Sequence, residues 1–342
     1  MESLPFLTHS IPSIGGVIRD SLDDFRVEEI PAYLPSGEGD HAYIRFAKRG
    51  LTTPEAVERI ARAISVSPRE CGWAGLKDKH ALTTQWASFL RPDPERLAKL
   101  AIDGITVLEV SRHKNKLKSG HLHGNRFEIL VRQCEPNALA TAREVVAVLN
   151  DKGVPNYYGA QRFGRDGDNV GRGVRWLRGE TPAPRQAFER KMYASSVQSW
   201  LFNRYVAERL NDGLLGAYVP GDLAVRHPLD KVFAITEDEA GTTYPARECS
   251  ASGPMFGPEM RWPESEARAR EERVLTASEL TLAHFANARG LAEGTRRSVR
   301  LCPSPIEVFE AGENTVGLRF ELTSGAYATA VLRELRKRDE DR

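Results

Sequence analysis

Hydrophobic and polar residues alternate along three stretches of the chain, the pattern of strands with one buried face. A shorter apolar group, Ile105, Val107 and Leu108, indicates a further short strand. The alternating apolar positions are Ala42, Ile44 and Phe46; Phe127, Ile129 and Val131; and Val316, Leu318, Phe320 and Leu322. Strands near both ends of the chain are therefore predicted, and a single sheet could contain them.

Four other stretches are predicted to be helical, and in the first of them apolar residues recur at helical spacing. The first begins at Thr53, Pro54 and Glu55, which supply an N-cap, a proline in the first turn and an early acid. The predicted helices span about 54–65, 138–149, 191–210 and 264–288. Residues 241–263 are dense in Gly and Pro and are predicted to be irregular.

Length and composition are those of an ordinary soluble protein. The 342 residues suggest about two domains, and 41% of them are apolar and 28% charged. No apolar run is long enough for a membrane helix, and the N-terminus does not have the pattern of a secretion signal. The four cysteines are far apart and form no CxxC pair, so a reducing cytoplasm is expected.

Positive charge is concentrated in one stretch although the formal net charge is only +1. Five basic residues fall within fifteen positions that contain no acid: Arg112, Lys114, Lys116, Lys118 and Arg126. From charge alone this basic run fits a phosphate contact and a solvated loop equally well.

Several reaction classes have no motif here. The chain contains no GxGxxG, P-loop, HExxH or GxSxG sequence and no zinc deaminase pattern. An enzyme with this sequence is therefore expected to need neither a metal nor a bound cofactor.

Residues 74–81, AGLKDKHA, form the most informative segment and are predicted to lie on a loop. Gly75 permits a tight turn, and Lys77 and Lys79 flank Asp78 with positive charge that favours its carboxylate. By spacing alone, however, a Lys-Asp-Lys turn is more typical of a solvated surface loop.

This segment resembles the motif around the nucleophilic aspartate in the TruD family of pseudouridine synthases. Four further blocks resemble that family in the same order along the chain. They are residues 24–29; 112–117 with 124–127; 153–164; and 324–329 with 333–335. Residues 213–282 match no motif of the family.

The resemblance implies an α+β fold: a pseudouridine-synthase-type mixed, largely antiparallel sheet with flanking helices, plus an inserted α/β TRUD domain. It implies a discontinuous catalytic domain, 1–152 with 302–342, and an inserted domain at 153–301. The implied reaction isomerises uridine to pseudouridine without a cofactor and with Asp78 as the nucleophile. Whether Asp78 attacks the base or the sugar, or first assists glycal formation, is open.

The resemblance also suggests which residues surround Asp78. Its cationic partner would be Arg333, or else Arg19, which stands where the family usually has Lys. Three aromatic residues would line the uridine pocket, and an amide would hydrogen-bond the base edge. The aromatic residues are Phe25, Phe127 and Tyr327, and the amide belongs to Asn125. Tyr327 departs from the expected Phe, but its ring is retained.

The implied substrate is tRNA, with uridine 13 in the D-arm of glutamate tRNA as the target of the bacterial family. The basic run would contact tRNA phosphates. A monomer acting in the cytoplasm is expected. Two alternatives are a catalytically inactive tRNA-binding or RNA-chaperone protein and an unrelated hydrolase that releases uracil. The intact Asp78 argues against the first, and no motif supports the second.

Overall fold

A computed structural model describes residues 3–164, 167–227, 231–242 and 248–339. Its contacts divide the chain into two units. The sheet unit comprises Ile14–Val146 and Ser304–Ala326, and the second unit comprises Met1–Ser13, Ala147–Pro303 and Tyr327–Arg342. These limits differ from the domain limits expected above, which stay a prediction.

The strands and helices follow one another along the whole chain. The strands are β1 (Gly15–Val17), β2 (Phe25–Pro31), β3 (His41–Arg49), β4 (Cys71–Trp73), β5 (Leu82–Leu90), β6 (Ile105–His113), β7 (Leu122–Cys134), β8 (Val154–Pro155), β9 (Leu223–Arg226), β10 (Lys231–Ala234), β11 (Cys249–Met255), β12 (Thr295–Ser298), β13 (Arg300–Leu301), β14 (Glu307–Glu310) and β15 (Val316–Thr323). The helices are α1 (Thr53–Ala63), α2 (Pro94–Ala98), α3 (Ala138–Lys152), α4 (Asn169–Leu177), α5 (Ala187–Asn211), α6 (Ser265–Ala277), α7 (Leu282–Phe285) and α8 (Ala328–Arg336).

The sheet unit is built on one nine-stranded sheet within the described residues, in the order β14-β15-β7-β2-β5-β3-β6. Two short strands lie off this path, since β1 pairs with β7 and β4 with β5. The β2–β5 pair is parallel, and the other pairs are antiparallel. The predicted α+β class with a mixed, largely antiparallel sheet is confirmed, and so is the prediction that early and late strands share one sheet.

Helix α1 shows why its sequence folds as predicted, with one correction. Thr52, not Thr53, is the N-cap: its hydroxyl accepts a hydrogen bond from Glu55 N, and the Glu55 carboxylate accepts one from Thr52 N in return. The apolar face of α1 packs against β3 and β5 in one buried cluster that includes Ile60 and Phe46. With Thr52 as the N-cap, Thr53 is the first residue of α1 and is buried. Its hydroxyl forms hydrogen bonds in the site described below.

The second unit has a long central helix, α5, and a four-stranded sheet in the order β10-β9-β11-β12. Two predictions were wrong here. The stretch 241–263 is not wholly irregular, because β11 lies within it; Gly253 of β11 leaves space for α5, where an added Cβ would lie 2.9 Å from the Phe202 ring. The predicted helix 264–288 is broken after α6, and Glu279 adopts a φ of 53°.

Candidate active site

The AGLKDKHA segment lies on the predicted loop, between β4 and β5 of the sheet unit. Buried side chains form hydrogen bonds that fix its backbone. The Thr53 hydroxyl accepts a hydrogen bond from Lys77 N at 2.9 Å and donates one to Gln85 Oε1 at 2.8 Å. Thr53 and Gln85 are both buried, so the loop is tied at this point to α1 and β5 together.

A buried ion pair holds the same loop to β2. Lys77 Nζ lies 2.8 Å from Glu29 Oε2, and the two side chains are 3% and 1% exposed. The other carboxylate oxygen of Glu29 accepts a hydrogen bond from Trp86 N at 3.3 Å. Removing one member of such a pair would leave a buried charge without its partner, so the pair constrains the loop strongly.

A second buried lysine, Lys48 of β3, supports Asp78 itself. Its side chain is fully buried, and Nζ donates to the carbonyl oxygens of Asp78 and Leu51 at 2.7 and 2.6 Å. Burial lowers the pKa of Lys48 to about 8, and the charge of Asp78 acts in the opposite direction. Lys48 therefore holds the Asp78 backbone and places a positive charge beneath it at neutral pH.

The Asp78 carboxylate is the exposed part of this loop. Its side chain is 58% exposed, and Arg19 Nη2 lies 3.0 Å from its Oδ2. Within the described residues, no hydrogen bond is formed to the other oxygen, Oδ1. The guanidinium of Arg19 also lies over the Phe25 ring, 4.3 Å from its centroid. One carboxylate oxygen is thus fixed by a stacked cation, while the other is available to a substrate.

The predicted aromatic residues of β2 and β7 share one face of the sheet. The β2–β7 register pairs Val27 with Phe127 and Glu29 with Asn125, so Phe25, Phe127 and Asn125 point to the same face. The rings of Phe25 and Phe127 meet edge to face at 6.3 Å. Both are buried, at 2% and 7% exposure, so each also packs in the core; their role in holding uridine stays a prediction.

Asn125 has an unused hydrogen-bonding group on this face. Its side-chain Oδ1 is buried and accepts no hydrogen bond from any described residue. A buried amide oxygen without a donor costs free energy unless a ligand supplies one. A base edge with an N–H group is a suitable donor, which supports the predicted role of Asn125.

The two remaining predicted site residues lie in the second unit. Tyr327 precedes α8 and is 54% exposed. Arg333 was expected ahead of Arg19 as the partner of Asp78. Arg333 Nε binds Asp339 at 2.7 Å, Nη1 binds the Pro5 carbonyl at 3.2 Å, and the guanidinium lies over the Phe6 ring. Within the sheet unit, Arg19 makes an ion pair with Asp78. The role of Arg333 stays a prediction.

Part of the basic run is neutralised within the sheet unit. Lys114 pairs with Glu38 at 2.6 Å, and Arg126 lies 3.2 Å from Glu28 and 2.8 Å from Glu321. Lys118 is exposed and forms no ion pair with the described residues. A phosphate would therefore have to compete with carboxylates at Lys114 and Arg126.

Sequence reasoning missed Lys48 and Glu29, although a signal for both was present. Lys48 continues the buried alternation of Ala42, Ile44 and Phe46, and Glu29 continues that of Phe25 and Val27. A charged residue at the next position of a buried face needs an internal partner. Lys48 and Glu29 each have such a partner in the Asp78 loop.

Two other properties concern the described residues alone. They contain no group of three or more His, Cys, Asp or Glu side chains placed to hold a metal ion. None of their helices is both long and apolar enough to cross a membrane.

Comparison with known proteins gives concordant matches over the whole chain. The family model described as tRNA pseudouridine synthase D (TruD) matches residues 3–174 and 186–335. A relative of that name from Anaeromyxobacter dehalogenans is 47% identical, covering 98% of this chain and 97% of the relative. Another, from Thermus thermophilus, is 41% identical, covering 98% of this chain and 93% of its own.

A solved structure shares the fold. The crystal structure of a Methanosarcina mazei protein assigned to tRNA pseudouridine synthase D matches with a TM-score of 0.82. The match covers 98% of this chain and 96% of the other, at 23% sequence identity.

Proposed function

Since the chain belongs to the TruD family of tRNA pseudouridine synthases, we propose that it isomerises a uridine of tRNA to pseudouridine with Asp78 as the nucleophile. The observation that carries the proposal is the state of Asp78. Its backbone is fixed by buried groups, whereas its carboxylate is exposed and has one oxygen free of hydrogen bonds to the described residues.

The surrounding residues support covalent catalysis by this carboxylate. Arg19 stabilises the negative charge from one side, and the buried Lys48 ammonium adds positive charge beneath the loop. In the proposed reaction Asp78 Oδ1 forms a bond to the nucleotide, the N-glycosidic bond breaks, the turned uracil is joined to the sugar through C5, and the bond to Asp78 breaks again. The hydrogen on C5 leaves as a proton and N1 takes up a proton, so the product is an isomer of the substrate and no oxidant is needed.

The substrate pocket is proposed to lie beside Asp78. Asn125 would accept a hydrogen bond from the base edge, and Phe25 and Phe127 would form its apolar wall. Tyr327 is proposed to contact the extruded base as well. Arg333 is proposed to have a supporting role, because its donors are used by Asp339 and by backbone carbonyls.

The finer substrate assignment is part of the same proposal. We infer that the target is uridine 13 in the D-arm of glutamate tRNA and that the protein acts as a cytoplasmic monomer. The domains proposed to carry these roles are 1–152 with 302–342 for catalysis and 153–301 as the insert.

The test is tritium release from a glutamate tRNA transcript labelled at uridine C5. The wild-type protein should release tritium without added metal or nucleotide, and Asp78→Asn should release none above background. The amide keeps the shape of the side chain but cannot act as an anionic nucleophile. Release by both proteins would show that Asp78 is not the nucleophile.

A second transcript tests the position. Replacing uridine 13 by cytidine should abolish release if this is the only target. Undiminished release from that transcript would assign the reaction to another uridine. Binding of tRNA without release by the wild type, on this and other tRNAs, would favour the binding-protein alternative.

A further inference from the structure

Two arginines of the second unit converge on one tyrosine ring. The guanidinium carbon of Arg297 lies 4.2 Å from the centroid of the Tyr158 ring, and that of Arg162 lies 5.4 Å from it. Tyr158 is only half-buried, and Arg162 is exposed. Two cations are therefore held beside one partly accessible aromatic ring.

Neither arginine has a carboxylate partner among the described residues. Arg297 Nη2 binds Asn156 Oδ1 at 2.6 Å, its buried Nε has no partner there, and Arg162 Nε binds the Ser199 hydroxyl at 3.2 Å. Burial lowers the pKa of Arg297, while the phenol groups of Tyr158 and Tyr327 act in the opposite direction. Positive charge has been brought together here, and no described residue supplies an anion to it.

Buried amides hold this cluster in place. Asn203 of α5 accepts a hydrogen bond from Tyr158 N at 2.8 Å and donates one to Tyr158 O at 2.9 Å. Asn156 donates to the Ser298 carbonyl at 2.8 Å, and both asparagines are buried. The segment that carries Tyr158 is thus fixed before any ligand arrives, which lowers the cost of binding one.

The backbone beside the tyrosine is also open. A Cβ added to Gly159 would meet no atom within 4 Å. Elsewhere in the unit an arginine on an aromatic ring can be neutralised: Arg268 lies 5.1 Å from the Trp262 ring centroid, and its Nε is 2.8 Å from Glu272. Charge without such a carboxylate distinguishes the Tyr158 cluster from the Arg268 site.

We propose that Tyr158, Arg162 and Arg297 form a binding site for one phosphodiester group of the RNA substrate. The site extends the proposed function and rests on it for the identity of the RNA. Guanidinium groups are suited to phosphate oxygens, and a phosphate supplies the missing negative charge. A phosphate contact of this kind positions the RNA without reading its sequence.

The experiment measures the affinity for a fluorescently labelled glutamate tRNA transcript as a function of KCl concentration. The slope of log K against log salt is negative, and removing one phosphate contact reduces its magnitude by about one. The double variant Arg162→Gln/Arg297→Gln should therefore bind more weakly, with a slope reduced by about one. Arg268→Gln is the matched control and should keep the wild-type slope.

An unchanged slope in the folded double variant would overturn the inference. If the double variant does not fold, the exposed Arg162→Gln decides: a reduced slope supports the site, and a wild-type slope overturns it. Tritium release by the wild type is measured in parallel. Release with unchanged slopes rejects only the phosphate site, whereas reduced slopes without release reject only the isomerase assignment.

Discussion

The Asp78 loop and the Tyr158 cluster are built alike but differ in charge balance. In each, buried polar side chains hold the backbone, and one functional side chain is left accessible. The carboxylate of Asp78 has its own cation in Arg19, whereas the cations beside Tyr158 have no described carboxylate. A nucleophile must be kept ionised before its substrate arrives. A binding site, in contrast, can leave its counter-charge to the ligand.

Among the residues that support the two sites, the largest effect is expected from removing the lysine beneath Asp78. Lys48→Met should lower kcat about 100-fold, because the carbonyls of Asp78 and Leu51 lose their donor and the loop shifts. Single-turnover tritium release measures the effect. Lys337→Met is the control, since Lys337 is a partly buried lysine outside the sheet unit that also donates to a carbonyl, that of Glu334. An unchanged kcat in Lys48→Met would show that catalysis by Asp78 does not depend on the hydrogen bonds of Lys48.

The pH dependence tests the same residue in two ways. As pH rises through the lowered pKa of Lys48, about 8, the ammonium is lost, and wild-type kcat should fall. Stability should change in the opposite direction. Between about pH 8 and 10.5 the unfolded chain binds more protons at this lysine than the folded one, so this group's contribution rises with pH. Lys48→Met should lose both trends; a wild-type pH profile in that variant would contradict the assignment.

An intermediate effect is expected at the support of the Tyr158 cluster. Asn203→Ala removes two hydrogen bonds to the Tyr158 backbone and should weaken tRNA binding about tenfold, leaving kcat at saturating tRNA nearly unchanged. Titration of labelled tRNA measures it. Asn287→Ala, which removes one hydrogen bond to the Leu177 carbonyl of α4, is the control for stability. Equal tRNA affinities in Asn203→Ala and Asn287→Ala would show that the hydrogen bonds from Asn203 to Tyr158 do not contribute to tRNA binding.

The smallest effect is expected at the counter-ion of Asp78. Arg19→Lys keeps the positive charge but loses the guanidinium that stacks on Phe25 at 4.3 Å. A cation–π contact of this kind contributes about 0.5–1 kcal/mol, so kcat/KM should fall only about two- to fivefold. Arg19→Gln, which removes the charge, should lower kcat/KM much further. Equal losses in both variants would mean that geometry, not charge, is what Arg19 supplies.

The sequence predicted elements whose evidence is local and missed those that depend on distant partners. The alternation at Ala42–Phe46 and the capping residues of α1 lie within a few positions of each other, and both elements were predicted. Strand β11 was missed because its glycine is explained only by α5 packing on it.

The site shows the same division. Asp78 was identified through a contiguous motif that resembles a family, not through its spacing. Arg297 was not considered, because only the fold brings it to Tyr158. Arg333 was ranked above Arg19 because it lies in a recognisable block, and the Asp339 and Pro5 oxygens that engage it could not be inferred from that block.

The pairing of β15 with β7 has a consequence for synthesis of the chain on the ribosome. Strand β7 ends at Cys134, and its partner begins only at Val316. At ~5–20 residues per second, translation leaves that edge of β7 without its partner for roughly 10–40 s. Its unpaired backbone N–H and C=O groups are then a template for other nascent strands. Because these two strands are so far apart in the sequence, the newly made protein is a candidate client for chaperones until its C-terminal strands emerge.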